Sequence, residues 1–246
     1  MDKSQLQEYS RIFKEIFNLQ TSPVAIRCVK AKNVSADESK VRICRAILDA
    51  AKGQTSEVCR ENNACFGANW HLGFSKIDDP KAIKMIKQFV VEGEKLFSSY
   101  EALDKLLSQI EDVPDNKDMC FVLSPLENTD SQPQLVVFVC NPEQACRLLT
   151  FVTFIDGVIP KIKIGGPTCR MAIMYPLISS EVNVSFQDYT ARKLCKMDKD
   201  KLLVSIPFRL IPTIIGNIDK CSAGTAKVEY PQEFREFLQK KMSVKK

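Results

Sequence analysis

The stretch at 119–154, MCFVLSPLENTDSQPQLVVFVCNPEQACRLLTFVTF, decides the fold class. Its apolar runs MCFVLSPL and PQLVVFVC are short and rich in β-branched and aromatic residues, and the polar ENTDSQ separates them. Each reads as a buried strand. A helix start follows at once. Asn141 is the cap, Pro142 occupies the first turn, and Glu143 sits near the positive end of the helix dipole. Strand, loop, strand and helix in immediate succession place the chain among proteins that mix the two kinds of element.

The same reading extends in both directions. Toward the N-terminus, Leu6, Tyr9, Ile12, Phe13, Ile16 and Phe17 recur at helical spacing and predict an amphipathic helix over 4–18. SPVAIRCVK (22–30) reads as a strand and NVSADESK (33–40) as a polar loop. VRICRAILDAAKG (41–53) reads as a helix ended by glycine. Residues 54–80 read as irregular, 81–92 and 94–110 as helices, and 111–118 as a turn-rich connector. Beyond 154, KIKI (161–164) reads as a short strand before a Gly-Gly-Pro turn and an apolar helix stopped near Pro176. EVNVSF and KLLVSIP read as strands, FRLIPTIIGNI and PQEFREFLQKK as closing helices. The expectation is an α/β or α+β class. It is a single compact domain over 1–246, with a mixed sheet flanked by helices, a helical insertion near 81–117, and a C-terminal helix with basic tail at 230–246.

Apolar residues make up 45% of the 246 and charged residues 26%, the balance of an ordinary globular protein. No apolar run reaches the roughly 18 residues of a membrane span, and the N-terminus lacks a signal core. A cytoplasmic protein is expected. The net charge of +5 comes largely from the C-terminal LQKKMSVKK. Lys and Glu are otherwise interleaved, which points away from nucleic acid. Oligomeric state is open.

The ten cysteines are the chemical signal. A cytosolic setting argues against a disulfide framework, and Cys28, Cys120 and Cys140 lie in apolar runs that read as core. No C-x-x-C, P-loop, G-x-G-x-x-G or G-x-S-x-G occurs. The single histidine, His71 in NWHLGF, excludes sites that need two. It reads as a packed ring or as a lone ligand or base. Cys-Arg occurs four times, at Cys44-Arg45, Cys59-Arg60, Cys146-Arg147 and Cys169-Arg170, where random placement would give roughly 0.4 such pairs. A nearby guanidinium favours the thiolate, which is both nucleophile and metal ligand. Cys146 should face the core. Cys44 and Cys169 begin helices, whose positive ends favour the thiolate further. Cys65 precedes a turn at Gly67. Cys44, Cys65 and Cys169, with Cys59 as a fourth, could hold an iron–sulfur cluster or a zinc ion.

TSPVAIRCVK, RICRAILDAAKG, ACFGANWHLGF, SPLENTDSQPQLVVFVCNPEQACRLL, GGPTCRMAIMYP, VNVSFQDYTARK and DKLLVSIPFRLI occur in this order. The set resembles the family of archaeal and anaerobic-bacterial proteins known as domain of unknown function 169, over about 19–218. The resemblance implies a prokaryotic, often anaerobic, cytoplasmic setting and no particular activity. It implies cysteines that open the CRA helix, a C-P-G-A turn and a TC turn, matching Cys44, Cys65 and Cys169. Phe66 stands where that pattern has proline, and Cys59 falls on no family cysteine.

Three functions follow as expectations. The first is an iron–sulfur protein of anaerobic metabolism with a redox partner. The second is a metal-free thiol enzyme using Cys65 or Cys169, with His71 or an arginine nearby. The third is a binding module for an anionic small molecule. It would use Arg45, Arg170, Arg192 and the amides of IGGPTC, with Asn183 and Asp188 in a polar wall.

Overall fold

Residues 24–30 become a strand with neighbours on both sides, and the rest of the sheet is built around it. The computed structural model describes residues 2–31, 40–75, 80–110 and 112–243. The polar loop at 33–40 (apart from Lys40), residues 76–79 of the stretch read as irregular, Glu111 of the connector and the last three residues of the basic tail lie outside the described residues. The strands are β1 (Val24–Lys30), β2 (Ser56–Cys59), β3 (Met119–Pro125), β4 (Leu135–Cys140), β5 (Asn183–Ser185) and β6 (Leu202–Pro207). They form one sheet in the order β2-β3-β1-β4-β6-β5. Among the described residues every strand pairing in it is antiparallel, so the class is α+β and the sheet is not mixed. β3 and β4 are not a hairpin. β1 lies between them and pairs with both, and the 127–132 loop crosses over it.

Alternate residues of β1, β4 and β6 feed two separate cores, and β3 adds to the first. Val24, Ile26, Phe121, Leu123, Leu135, Val137 and Leu203 face one. Ala25, Val136, Phe138, Cys140, Leu202, Val204 and Ile206 face the other. Both sheet faces are therefore covered, which is why LVVFVC reads as an unbroken apolar run instead of an alternating one. On the second face pack α1 (Lys3–Phe17), α6 (Pro142–Asp156), α9 (Ile211–Ile215) and α10 (Ser222–Thr225). Phe13 is fully buried there, edge-on to Phe138 at 4.9 Å and beside Phe17 at 5.9 Å. The α6 start is as the sequence indicates, with Asn141 and Gln144 in a reciprocal capping box and Pro142 in the first turn.

The first face carries α2 (Ile43–Ala51), α3 (Phe66–His71), a π turn (Arg170–Met174) that runs into α7 (Tyr175–Ser179), and α8 (Tyr189–Cys195). The insertion holds α4 (Pro80–Gln88), a second π turn (Phe89–Gly93) and α5 (Tyr100–Leu107), joined by a Lys87–Asp104 ion pair. The final helix, α11 (Gln232–Ser243), contributes nothing to either core. Among the described residues no helix is long and apolar enough to cross a membrane.

Three expectations change. Residues 54–80 are not wholly irregular, since they supply β2 and α3. KIKI at 161–164 joins no sheet. The Asn183 side chain takes the place of a partner strand there, accepting from Lys163 N at 2.8 Å and donating to Lys163 O at 3.0 Å. Cys146 is exposed, because about 100° per residue turns it away from Ala145, Leu148 and Phe151, which face the core.

Phe13→Ala should lower unfolding free energy by about 3–5 kcal/mol in urea denaturation, through lost transfer energy and a cavity. Phe66→Ala, at an exposed position, should stay within about 0.5 kcal/mol of wild type.

Candidate functional site

The chain enters α2 through Arg42, an extended residue that caps the helix without a side-chain bond, so Cys44 lies in the first turn. Just before it, Val41 forms a parallel bridge to Asn63. Val41 N donates to Asn62 O at 2.9 Å, and Ala64 N donates to Val41 O at 2.8 Å. Asn63 also sets the entry to α3. Its Nδ2 donates to Cys65 O at 2.7 Å and to Asn69 Oδ1 at 2.8 Å, while its Oδ1 accepts from Cys65 N at 3.3 Å. One asparagine thus joins the start of the Cys44 helix to Cys65, the N-cap of α3.

A second polar residue does the same for the other two cysteines. Asp188 caps α8, accepting from Ala191 N at 2.7 Å. Its other oxygen accepts from Thr168 N at 3.1 Å and Thr168 Oγ1 at 2.9 Å. Thr168 precedes Cys169, and Cys195 ends α8, so a single carboxylate spans both elements. The π turn after Cys169 is held against the sheet by buried polar side chains. Asn183 Nδ2 donates to Met171 O at 2.8 Å, and Ser205 Oγ donates to Ala172 O at 2.7 Å.

The two halves meet at sulfur. Cys44 Sγ and Cys195 Sγ lie 3.4 Å apart, and Arg45 Nη1 donates to Cys195 O at 3.3 Å. Cys44, Cys169 and Cys195 share one apolar cluster with Cys65 packed against it, and Cys169 lies within electrostatic reach of both Cys65 and Cys44. From the insertion, Glu94 comes within electrostatic reach of Asp188 and Arg42 and bonds Thr190. Burial raises its pKa above the usual carboxylate range.

The bond with Cys195 and burial override the helix-end effect expected for Cys44, and burial overrides it for Cys169. Cys169 is pushed well above the ordinary thiol range by desolvation and by neighbouring Cys65 and Cys44. Cys44 is raised by its hydrogen bond with Cys195 and by burial. Cys195 is lowered by the same bond, against burial, with help from Arg45 and Arg42. The one contact thus moves the two thiols in opposite directions, Cys44 up and Cys195 down. His71 is buried and stacked on Trp70 at 4.9 Å, and its Nδ1 has no hydrogen-bond partner. Its pKa falls to about 4, mainly through burial and then through the charge of Arg170, against Asp188. The ring is neutral at pH 7.

Cys44, Cys65 and Cys169, far apart in sequence, come together. Cys59 does not join them, because it is disulfide-bonded to Cys120, one strand over at the sheet edge. The chain thus holds a disulfide where free thiols were expected. Cys195, which no motif singled out, lies against Cys44 in the same cluster. Arg45 is paired with Asp49 at 2.8 Å, and Arg170 is buried beside His71. Arg192 donates to the carbonyls of Phe186, Asp198, Lys199 and Lys201. Asn183 is fully buried and committed to backbone. The anion held at the IGGPTC turn is the chain's own Asp188.

The family described as DUF169, Uncharacterised ArCR, matches residues 12–217, and the chain belongs to that family. A similar curated protein is the uncharacterized protein MJ0308 of Methanocaldococcus jannaschii. It is 23% identical over 228 residues, covering 89% of this chain and 96% of that one. No solved structure matches.

Asp188→Ala removes a helix cap and a double acceptor, and should cost about 2–3 kcal/mol in chemical denaturation. The His71 ring yields a pH dependence. Between pH 6.5 and about 4 the unfolded chain binds a proton there and the folded chain does not. Stability therefore falls as pH drops through that window, by about 3 kcal/mol from this group. His71→Gln should flatten the difference between denaturation midpoints at pH 7 and pH 4.5.

Proposed function

We propose that the chain is a cysteine-ligated iron–sulfur protein, with Cys44, Cys65 and Cys169 as ligands and Cys195 as the fourth. Its role would be electron transfer, or cofactor-linked chemistry in anaerobic metabolism. The observation that carries this reading is the convergence of four cysteines from four separate elements around the buried Cys44–Cys195 contact.

Spacing favours a cluster over a single ion. Tetrahedral zinc with Zn–S near 2.3 Å needs sulfurs about 3.8 Å apart. Among the described residues no three of these four sulfurs lie within 4.8 Å of one another. A multi-iron cluster spreads its thiolates over separate irons and suits wider spacing. Cys195 would turn away from Cys44 to reach an iron of its own. Arg42, Arg45 and Arg170 supply positive charge against the net negative charge of a thiolate-bound cluster. The raised thiols do not oppose this, because a metal displaces their protons on binding.

A metal-free thiol enzyme is the second reading, and one observation favours it. Cys195 has a depressed pKa and a hydrogen-bonded thiol beside it. Cys169, one of the nucleophiles expected from sequence, is buried and raised.

Anaerobic purification, or reconstitution with ferrous iron and sulfide, should give a brown protein with near-stoichiometric iron and acid-labile sulfide. Cys44→Ser, Cys65→Ser and Cys169→Ser should each lower bound iron at least tenfold, and Cys146→Ser should not. A colourless, iron-free protein with these thiols reduced overturns the cluster. Alkylation of Cys195 at pH 7 at least tenfold faster than of Cys28 would then point to the thiol enzyme.

A further inference from the structure

The Cys59–Cys120 pair lies outside the site just described and has ligand geometry of its own. The two residues are directly opposed in the antiparallel β2–β3 register. Glu57 precedes Cys59 by two residues, so both side chains leave the same face of β2. The ligand atoms of Glu57, Cys59 and Cys120 all lie within 4.8 Å of one another, the only three His, Cys, Asp or Glu ligands so close among the described residues. Glu57 Oε1 is 3.8 Å from Cys59 Sγ. Tetrahedral zinc bound by a thiolate and a carboxylate needs about 3.6 Å between those atoms.

The backbone, and not the S–S bond alone, fixes this arrangement. Val58 pairs with Phe121 and Ser56 with Leu123 in the same ladder. Asn62 Oδ1 accepts from Cys59 N at 2.8 Å, and Asn62 Nδ2 donates to Glu57 O at 2.8 Å. Opening the disulfide leaves both thiols side by side, with the carboxylate still above them. Both cysteines are fully buried while Glu57 is exposed, so the trio opens to solvent on the carboxylate side of an edge strand. Two thiolates and one carboxylate make a borderline-soft set with one open position, and such a set takes zinc or a similar divalent cation.

We infer that Glu57, Cys59 and Cys120 form a redox-gated zinc site, which binds the metal as a dithiol and releases it on closing to the disulfide. In the reduced chain, zinc(II) displaces the two thiol protons and the carboxylate completes three ligands. Oxidation is by a low-molecular-weight disulfide. The two thiolates give up two electrons and join in one S–S bond. The oxidant's S–S bond takes those electrons and breaks into two thiolates, and zinc(II) leaves unchanged in charge. This inference does not depend on the cluster reading.

Zinc(II) uptake by the full chain should be measured by competition against a chromophoric chelator, before and after anaerobic reduction with a phosphine. Reduction should add one zinc per chain, and added oxidised glutathione should release it. The added equivalent should persist in Cys65→Ser, disappear in Cys59→Ser and Cys120→Ser, and bind at least tenfold more weakly in Glu57→Gln. Glu57→Gln alters only an exposed side chain and keeps both cysteines, so it tests the site even if the cysteine variants fail to fold. Equal zinc uptake before and after reduction, or equal affinity in Glu57→Gln and wild type, overturns the site. Loss of zinc in Cys65→Ser with retention in Cys59→Ser would place the metal in the other cysteine group and equally overturn it.

Discussion

Asp188 is the constraint on which the candidate site depends. A carboxylate with two oxygens can accept in two directions, and this one caps α8 with one and grips Thr168 with the other. Without its carboxylate, the turn before Cys169 and the helix that ends in Cys195 would lose both bonds from Thr168 and retain the one from Asp188 N to Thr168 Oγ1 at 3.2 Å. Asn63 plays the matching part for Cys44 and Cys65. Cys65 and Cys169 are placed by polar side chains, the Cys44 helix is entered through a backbone bridge, and the Cys44–Cys195 contact joins the two halves. The anion-binding capacity of the Gly-Gly-Pro turn is spent internally on Asp188. That satisfies Thr168 and leaves no free amide at this residue for an outside anion.

Double burial of the sheet explains both what was legible in the sequence and what was not. Strands covered on two faces read as continuous apolar runs, so β3, β4 and β6 stood out from composition alone. β2 was missed because SEVC carries an exposed glutamate and runs straight into a polar turn. α3 was missed for its length, since FGANWH spans less than two turns and opens without a side-chain cap. KIKI failed in the other direction. Its alternation is that of a strand, yet the Asn183 side chain pairs with the backbone of Lys163, and no window over 161–164 contains that residue. Strand order was illegible for the same reason, because β1 enters between β3 and β4 from almost a hundred residues away.

The Cys-Arg pairs show where adjacency in sequence misleads. Arg45 turns to Asp49 on its own helix, and Arg147 reaches Ala223 O and the ring of Phe17. Successive residues on a helix diverge by about 100°, so a neighbouring guanidinium is not a neighbouring charge. Helix-end dipoles act over about one turn and are worth roughly 1 kcal/mol. Removing a thiolate from water costs more, and Cys169 is accordingly raised, while Cys44 is raised first by its bond with Cys195 and then by burial. Cys195, at a helix C-terminus where the dipole opposes a thiolate, is the one lowered. Its partner sulfur and Arg45 outweigh the dipole, and both are contacts that only the tertiary structure creates.

The segment 57–65 is where the two thiol groups meet. Asn62 holds Glu57 and Cys59 in ligand geometry, and its carbonyl accepts from Val41 at the entry to α2. Asn63, the next residue, holds Cys65 and completes the bridge to Val41. The peptide units that flank Cys59 thus adjoin those that place Cys65 and begin the Cys44 helix. The two cysteines of CRENNACFG part company, Cys59 into a disulfide with Cys120 and Cys65 against the core that holds Cys44, Cys169 and Cys195, and the pair of asparagines between them ties both segments to Val41.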